Sequence, residues 1–235
     1  MLDRLPICWP YHLRDYDQDE CQVSERLGEF EEGTSVKCPD CGLAYAESSP
    51  NDRRLHRRVH DQVLNGPRRL RLRQCRVAWT RGSRCVVVIN SQSPRSHRLL
   101  AQEVSLIAAG DTSYSGVAYA ADEPRDERRI HLFLGVSETR AQAYVCFERR
   151  VHIWQCTWSE YAAGVAHKLE DRPMWSIGYA WVSRNNRRTG WLTDVLSAAR
   201  DHLGFGDDFG WYTPFTDAGE AAARALCPSG IFVAK

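Results

Sequence analysis

Hydrophobic positions along the chain follow strand spacing in some segments and helix spacing in others, and their order predicts the fold class. β-branched or alternating runs predict strands at 84–90, 130–136, 142–149, 175–182, 209–213 and 231–233. Ser137 to Arg140 is a hairpin signal between two of these runs. Spacing of three to four residues predicts helices near 99–108, 191–203 and 218–226. This alternation is typical of an α/β (α+β) fold, a mixed sheet with flanking helices.

Two segments of the chain carry weaker signals. Residues 151–158 are expected to extend the sheet, whereas 159–174 are too polar and irregular to assign. Residues 110–128 are rich in Gly, Ser, Asp and Glu, which indicates a loop or linker.

A pattern of metal ligands precedes this region. Cys38 and Cys41 are separated by two residues, and His56 and His60 by three. The first pair fits a tight turn, and the second lies one helical turn apart, so that both imidazoles leave the same face. Four ligands close a tetrahedron and leave no position for water, which predicts a structural zinc ion. A short strand near 43–45 and a helix from Pro50 to about residue 65 complete the predicted finger.

Charge is unevenly distributed, although the formal net charge is only +1. The first 52 residues are acidic, whereas eleven arginines between Arg53 and Arg84 are opposed only by Asp61. We call this segment the arginine stripe. It would suit nucleic acid phosphates or an acidic protein partner, and a solvated face without a partner is the alternative.

These features predict three regions: an irregular acidic arm over 1–34, a zinc finger over 35–67 and an α/β domain over 68–235. Cys8, His12 and Cys21 in the arm lack paired-ligand spacing, so they are interpreted as unpaired. The odd count of nine cysteines, without an export signal or a membrane-spanning run, favours a reducing compartment. We therefore expect a cytoplasmic protein, or a nuclear one in a eukaryote, with no membrane contact and an oligomeric state left open.

The turn after the strand at 175–182 has the composition of a phosphate site. Its residues are Arg187, Arg188, Thr189, Gly190 and Trp191, and they lead into the predicted helix at 191–203. Unpaired N–H groups and the helix dipole place positive potential there, and Gly190 permits close approach of a pyrophosphate. An ordinary basic turn is the alternative.

Three segments resemble one known family. The finger CGLAYAESSPNDRRLHRRVH, the strand and turn SIGYAWVSRNNRR and the C-terminal stretch YTPFTDAGEAAARALC are similar to those of the Eco/ESCO acetyltransferases, which establish sister-chromatid cohesion. That family belongs to the GNAT superfamily of N-acetyltransferases. The chain departs from it at Leu192, where a small residue is usual, and between Pro214 and Gly219, where a Pro-Thr-Pro-Asp-Gly run is altered.

The resemblance implies a GNAT-like domain over 68–235, a finger packed on it, and acetyl transfer from acetyl-CoA to an amine, most simply a protein lysine. It implies that the cofactor contacts Tyr179, Ala180, Trp181, Val182, Arg187, Arg188, Thr189, Gly190 and Trp191. The acceptor amine needs a base. Asp207 is favoured, Asp208 and Glu148 are alternatives, and Thr213 is expected to hydrogen-bond the amine or the departing thiol.

Two further functions stay open. One is a nucleic-acid or protein binding module that uses the finger and the arginine stripe on an inactive GNAT scaffold. The other is an acetyltransferase for small amines. Cys146 and Cys227 lie in apolar segments without a paired histidine, so they are interpreted as structural rather than as acyl carriers.

Overall fold

A computed structural model describes residues 35–68, 75–112, 130–169 and 173–234, together with Tyr119 and Ala121. The predicted arm, with Cys8, His12 and Cys21, lies outside the described residues. Most of the predicted loop at 110–128 also lies outside them.

The first described elements form a small unit of two strands and one helix. Strand β1 (Ser35–Lys37) pairs antiparallel with β2 (Ala44–Ala46), and helix α1 spans Pro50–Asn65. The Ser49 hydroxyl caps α1 by accepting a hydrogen bond from the Asp52 N–H at 3.3 Å. Gly66 ends the helix with a φ of 81°. The start and stop residues in the sequence therefore predict this helix well.

A mixed sheet of nine strands follows within the described residues, and it confirms the predicted fold class. Strands β9, β10 and β11 are mutually parallel neighbours, and the other pairings are antiparallel. The strands in spatial order are β3 (Arg76–Arg81), β4 (Arg84–Ile89), β5 (Ile130–Ser137), β6 (Arg140–Arg150), β9 (Met174–Val182), β10 (Gly210–Tyr212), β11 (Ile231–Ala234), β7 (Ile153–Cys156) and β8 (His167–Lys168).

Helices cover both faces of the sheet. Helix α2 (Arg95–Thr112) packs in the cluster that contains Leu134, and α4 (Trp191–Leu203) packs in the cluster that contains Phe133. Neighbouring residues of β5 thus point to opposite faces, as strand geometry requires. Helices α3 (Trp158–Ala162) and α5 (Asp217–Leu226) pack in the second cluster.

The structure adds strands β1, β3 and β8 and helix α3 to the predicted elements, and it lengthens helix α2. Strand β3 lies at the sheet edge and has arginines at both ends, so most of its residues are exposed and its hydrophobic pattern is weak. Helix α3 and strand β8 occupy the segment 159–174 that the pattern left unassigned. The prediction of a loop from residue 110 is wrong for 110–112, because these residues complete α2.

The finger packs directly on the sheet. Val59 and Val63 of α1 are buried in the same cluster as Ala141 and Tyr144 of β6. A Cβ on Gly66 would lie 2.0 Å from the Ala141 carbonyl oxygen, so only glycine permits this approach. These contacts make the finger part of the core rather than an appendage.

Candidate active site and zinc centre

The four predicted metal ligands lie together at the base of the finger. The Sγ atoms of Cys38 and Cys41 and one ring nitrogen each of His56 and His60 all lie within 4.8 Å of one another. The Nε2 atom of His56 is buried without a hydrogen-bond partner in the described structure, as expected of a nitrogen that ligates a metal. Two thiolates and two imidazoles fit a tetrahedral zinc ion, which these residues would hold.

The backbone around Cys38 favours metal binding. Gly42, with a φ of 77°, closes the turn by donating its N–H to the Cys38 carbonyl at 2.9 Å. Burial disfavours the Cys38 thiolate, but the N–H groups of Cys41 and Asp40 donate to its sulfur, and the pKa of this thiol lies below its ordinary value. Burial lowers the pKa of His56, which keeps the imidazole neutral and able to bind a metal.

A cleft opens where β9 and β10 separate. The two strands pair only at Gly210 with Ser176 and at Trp211 with Ile177. Beyond this point β9 continues to Val182 with β6 as its single neighbour among the described strands. One edge of β9 therefore has no strand neighbour beyond Ile177 among the described residues, and an extended ligand that forms β-type hydrogen bonds would fit along this edge. The predicted cofactor residues Tyr179, Ala180, Trp181 and Val182 line this half of the strand.

The predicted phosphate turn joins this strand end to α4. A short 3₁₀ turn at Arg184–Asn186 follows β9, and exposed residues 187–190 lead to the first residue of α4, Trp191. Gly190 caps α4 with a φ of 88°, and a Cβ there would meet no atom within 4 Å. The first-turn N–H groups of α4 lack intrahelical acceptors, so the turn has the properties of an anion site.

Two arginines of the turn have different surroundings. Arg187 pairs with the buried carboxylate of Asp111 on α2, and its Nε donates to the Val182 carbonyl at 3.1 Å. Arg188 is exposed, adopts a φ of 62° and forms no ion pair in the described part of the chain. Sequence reasoning missed Asp111, because nothing in the local pattern around residue 111 indicates a contact with residues about 70 positions later.

Of the predicted carboxylates, Glu148 lies at the point where β9 and β10 separate, which we call the junction. A shift in the pairing of β6 with β9 leaves Gly178 as a bulge, and a Cβ on Gly178 would lie 3.3 Å from Glu148 Oε1. The Tyr212 hydroxyl at the end of β10 donates to Glu148 Oε2 at 3.1 Å, and Arg150 pairs with the same oxygen at 2.6 Å. Thr213 follows Tyr212 directly.

The other two carboxylates lie at the opposite end of β10. Asp207 and Asp208 precede this strand, whereas the cleft opens beyond its last residue. The Asp207 side chain is 92% exposed and pairs with Arg200 of α4 at 3.0 Å. The structure therefore does not bring Asp207 and Asp208 to the junction with Glu148.

The structure divides the arginine stripe. Arg53, Arg54, Arg57 and Arg58 are exposed on α1. Arg84 instead contacts the phosphate turn: it donates to the Thr189 carbonyl at 2.9 Å and pairs with Asp194 of α4 at 3.1 Å. Arg69, Arg71 and Arg73 lie outside the described residues.

Comparison with known proteins finds similarity to acetyltransferases. Residues 26–62 match the family described as the zinc-finger of acetyl-transferase ESCO. The chain is 24% identical over 192 residues to N-acetyltransferase ECO1 of Yarrowia lipolytica, a match that covers 79% of this chain. A shorter match to N-acetyltransferase ECO1 of Kluyveromyces lactis is 51% identical over 35 residues, 15% of this chain and 13% of that protein. The chain is similar to the Eco/ESCO acetyltransferases in its zinc finger and over most of its length.

The fold is similar to that of a solved acetyltransferase domain. The xEco2 acetyltransferase domain matches 68% of this chain and 96% of its own length, at 16% identity and a TM-score of 0.52. The same domain bound to a K105-CoA conjugate matches 69% of this chain and 98% of its own length, at 16% identity and a TM-score of 0.56.

The match spans 62% of the length of the Yarrowia lipolytica relative. Among the described residues, no helix is both long and apolar enough to cross a membrane.

Proposed function

We propose that the chain is an acetyl-CoA-dependent N-acetyltransferase whose acceptor is a protein lysine. The observation that carries the proposal is that the half of β9 beyond Ile177, which has one strand neighbour among the described residues, leads directly into a turn with the properties of an anion site. An extended pantetheine arm would pair with β9 at 179–182, and the pyrophosphate would lie at the N-terminus of α4. A CoA molecule presents these two groups in the same order.

The donor side is assigned to the turn before α4. The exposed turn at 187–190 supplies N–H groups, the dipole of α4 and the Arg188 guanidinium, which together would bind the pyrophosphate. Acetyl-CoA, when bound, supplies an acetyl thioester. N–H groups on the open edge of β9 would donate hydrogen bonds to the thioester oxygen, where negative charge develops during attack.

The acceptor side is assigned to the junction cluster, which consists of Glu148, Tyr212 and Thr213. Glu148 is the group we propose as base, because a protonated amine cannot attack a thioester until it loses a proton. Tyr212, whose hydroxyl contacts Glu148, lies where it would donate a proton to the departing thiolate. Thr213, next in the chain, is retained as a hydrogen-bonding residue for the amine or the thiol.

A lysine acceptor is preferred to a small amine on two grounds. The xEco2 domain was solved with a K105-CoA conjugate, and we extend CoA binding and a lysine acceptor to this chain. Tyr179 lies on β9 opposite Cys146, two residues before Glu148 on β6, and its ring suits an alkyl stem that ends in an amine.

Ligand-induced stabilisation tests the donor site. At a CoA concentration 100 times Kd, binding adds about 2.7 kcal/mol to the free energy of unfolding. For a chain of this size, that raises Tm by roughly 5 to 10 °C. Arg188→Gln should remove most of this increase. Arg224→Gln is the matched control, since Arg224 lies on α5 over the Trp158 ring and away from the turn.

Two results of this experiment would contradict the proposed donor site. A wild-type melting curve that does not change in millimolar CoA contradicts the proposed function. An increase that persists in Arg188→Gln moves the phosphate site away from the turn.

A second candidate function concerns partners of the finger. Arg53, Arg54, Arg57 and Arg58 are exposed on the first turns of α1, and no described residue forms an ion pair with them. We propose that this face binds an anionic partner, and nucleic acid is the first candidate because guanidinium groups match phosphates. Binding to a DNA duplex that weakens steeply with salt, and is lost when all four become glutamine, supports it. Binding to an acidic peptide instead identifies a protein partner.

A further inference from the structure

One buried carboxylate connects the two halves of the proposed cofactor site. Asp111 lies in the last turn of α2, and its side chain is 0% exposed. Its Oδ1 accepts from Arg184 Nε at 2.6 Å, and its Oδ2 accepts from the Trp181 indole N–H at 2.9 Å. Arg187 donates to the same Oδ2. All three donors come from the end of β9 and the turn that follows it.

Asp111 does not stabilise helix α2. A negative charge in the last turn of a helix interacts unfavourably with the helix dipole. Burial of a carboxylate is also costly unless charged or hydrogen-bonding partners compensate it. Asp111 is therefore tolerated only because of Trp181, Arg184 and Arg187, and its role must be sought in what it does to those residues.

Each partner belongs to a different part of the proposed cofactor site. Trp181 lies in the half of β9 that would pair with pantetheine, and Arg184 and Arg187 flank the short 3₁₀ turn before the phosphate site. The next residue of α2, Thr112, shares a hydrogen bond with the Tyr179 hydroxyl. The end of α2 thus holds β9 at two alternate residues on one face.

We propose that Asp111 is a positioning residue for the cofactor site. It holds the edge of β9 and the phosphate turn at the separation that the pantetheine and pyrophosphate of a single CoA molecule require. This inference rests on the proposed function and adds a residue that makes no contact with the cofactor itself.

The same contacts indicate different roles for the arginines of the turn. Arg187 is occupied by Asp111 and by the Val182 carbonyl, so it shapes the turn rather than binding phosphate. Arg188 is left to bind the pyrophosphate. Arg184 also donates to the Asp40 carbonyl, beside the zinc ligands, so the turn is fastened to the finger as well as to α2.

Asp111→Asn tests this role, because it retains the shape of the side chain and removes its charge. We expect Kd for CoA, measured by calorimetry on the zinc-loaded full chain, to rise tenfold or more. The rate of acetyl transfer at saturating acetyl-CoA should change less than threefold, because the proposed catalytic cluster at Glu148 is untouched. The proposed role of Asp111 therefore predicts a loss of cofactor affinity without a comparable loss in the rate of the chemical step.

Asp61→Asn is the matched control. Asp61 also forms a carboxylate–guanidinium pair between a helix and the sheet, with Arg140 at 3.1 Å, but it does not contact the turn. It should lower Tm and leave Kd for CoA unchanged. An Asp111→Asn protein that loses thermal stability but binds CoA as tightly as wild type overturns the inference.

A second variant keeps the test decisive if Asp111→Asn does not fold. Arg184→Gln removes one partner of Asp111 and leaves Arg187 and Trp181 to compensate the carboxylate. It should raise Kd for CoA at least threefold, and an unchanged Kd overturns the inference. If the wild-type chain does not bind CoA, the proposed function itself fails; if wild type binds and both variants bind equally well, only the role of Asp111 fails.

Discussion

At the scale of residues, the junction cluster shows how a glycine and a glutamate depend on each other. Gly178 leaves room beside the Glu148 carboxylate where any larger residue would approach it closely. The carboxylate accepts from Tyr212 and pairs with Arg150, so its oxygens are oriented before an acceptor arrives. Preorganisation of this kind is what we expect of a group that accepts a proton at a fixed position.

The first prediction compares the candidate bases. Glu148→Gln should lower kcat by at least about 100-fold, the lower range for loss of a general base, and leave Kd for CoA nearly unchanged. The measurement is steady-state acetyl transfer together with calorimetric CoA binding.

The two carboxylates at the far end of β10 provide the control. The double variant Asp207→Asn/Asp208→Asn should retain kcat within about twofold, since Asp207 is exposed and pairs only with Arg200 among the described residues. A large loss in this variant with normal activity in Glu148→Gln would return the role of base to Asp207 or Asp208.

Two partly buried histidines should make the stability of the folded chain depend on pH. The pKa of His131 is lowered by burial, by His202 and by Arg76, and the pKa of His202 is lowered by burial and by Arg76. Both imidazoles are therefore neutral in the folded chain at a pH where the unfolded chain begins to bind protons. The free energy of unfolding should be unaffected by these groups above about pH 6.5, the ordinary histidine pKa, and should fall as pH decreases below it.

Urea unfolding at a series of pH values measures this effect. Because the finger histidines also protonate in acid, the informative quantity is the difference between wild type and His131→Gln/His202→Gln at equal zinc concentration. The double variant should lose stability less steeply between pH 6.5 and 5. Equal slopes would show that the two histidines do not contribute.

At the scale of elements, the helices were the most predictable part of the fold. Gly190 and Gly204 both adopt positive φ at the ends of α4, and the sequence predicts its bounds, 191–203, without error. The hydrophobic pattern does not predict strand β3, because an edge strand needs only one buried face and most residues of β3 are exposed. Helix α3 did carry a signal, since Thr157 and Glu160 form a capping box that the sequence pattern already contains.

Local sequence patterns predict some residues of the candidate site and not others. The zinc ligands and the phosphate turn are short local patterns, so spacing predicts them. The separation of Asp207 from Glu148 is not encoded in a local pattern, because it depends on which end of β10 faces the cleft. Asp111 depends on pairing between α2 and a strand about 70 residues later, which no local pattern encodes.

A prediction for the end of α1 follows from its packing. Gly66→Ala should lower the free energy of unfolding by about 3 kcal/mol, from left-handed backbone strain and from overlap with the Ala141 carbonyl. For a chain of this size, this corresponds to a decrease in Tm of roughly 6 to 12 °C.

Gly82→Ala is the control for backbone strain alone. Gly82 also has a positive φ, 59°, but a Cβ there would meet no atom within 4 Å. It should cost only about 1 to 2 kcal/mol. Equal losses in the two variants would contradict the tight docking of α1 on β6.

At the scale of the whole molecule, the finger, the sheet and the turn before α4 form one connected structure. Val59 and Val63 place the finger in the core, and Arg140 bridges it to β6 through Asp61 and the Gly66 carbonyl. Arg184 then connects the zinc-ligand turn to Asp111. The finger thus contributes to the acetyltransferase fold whether or not its arginine face binds a partner.

The most direct test of acetyl transfer is the movement of an isotope-labelled acetyl group. The zinc-loaded chain is incubated with labelled acetyl-CoA and a mixture of lysine-containing peptides, and the products are mapped by mass spectrometry beside Glu148→Gln. We predict label on lysine ε-amines, of the chain or of the peptides, at a rate at least about 100-fold higher for wild type than for Glu148→Gln. Labelling at the same slow rate with wild type, with the variant and without protein would contradict the proposal that this chain is an acetyltransferase.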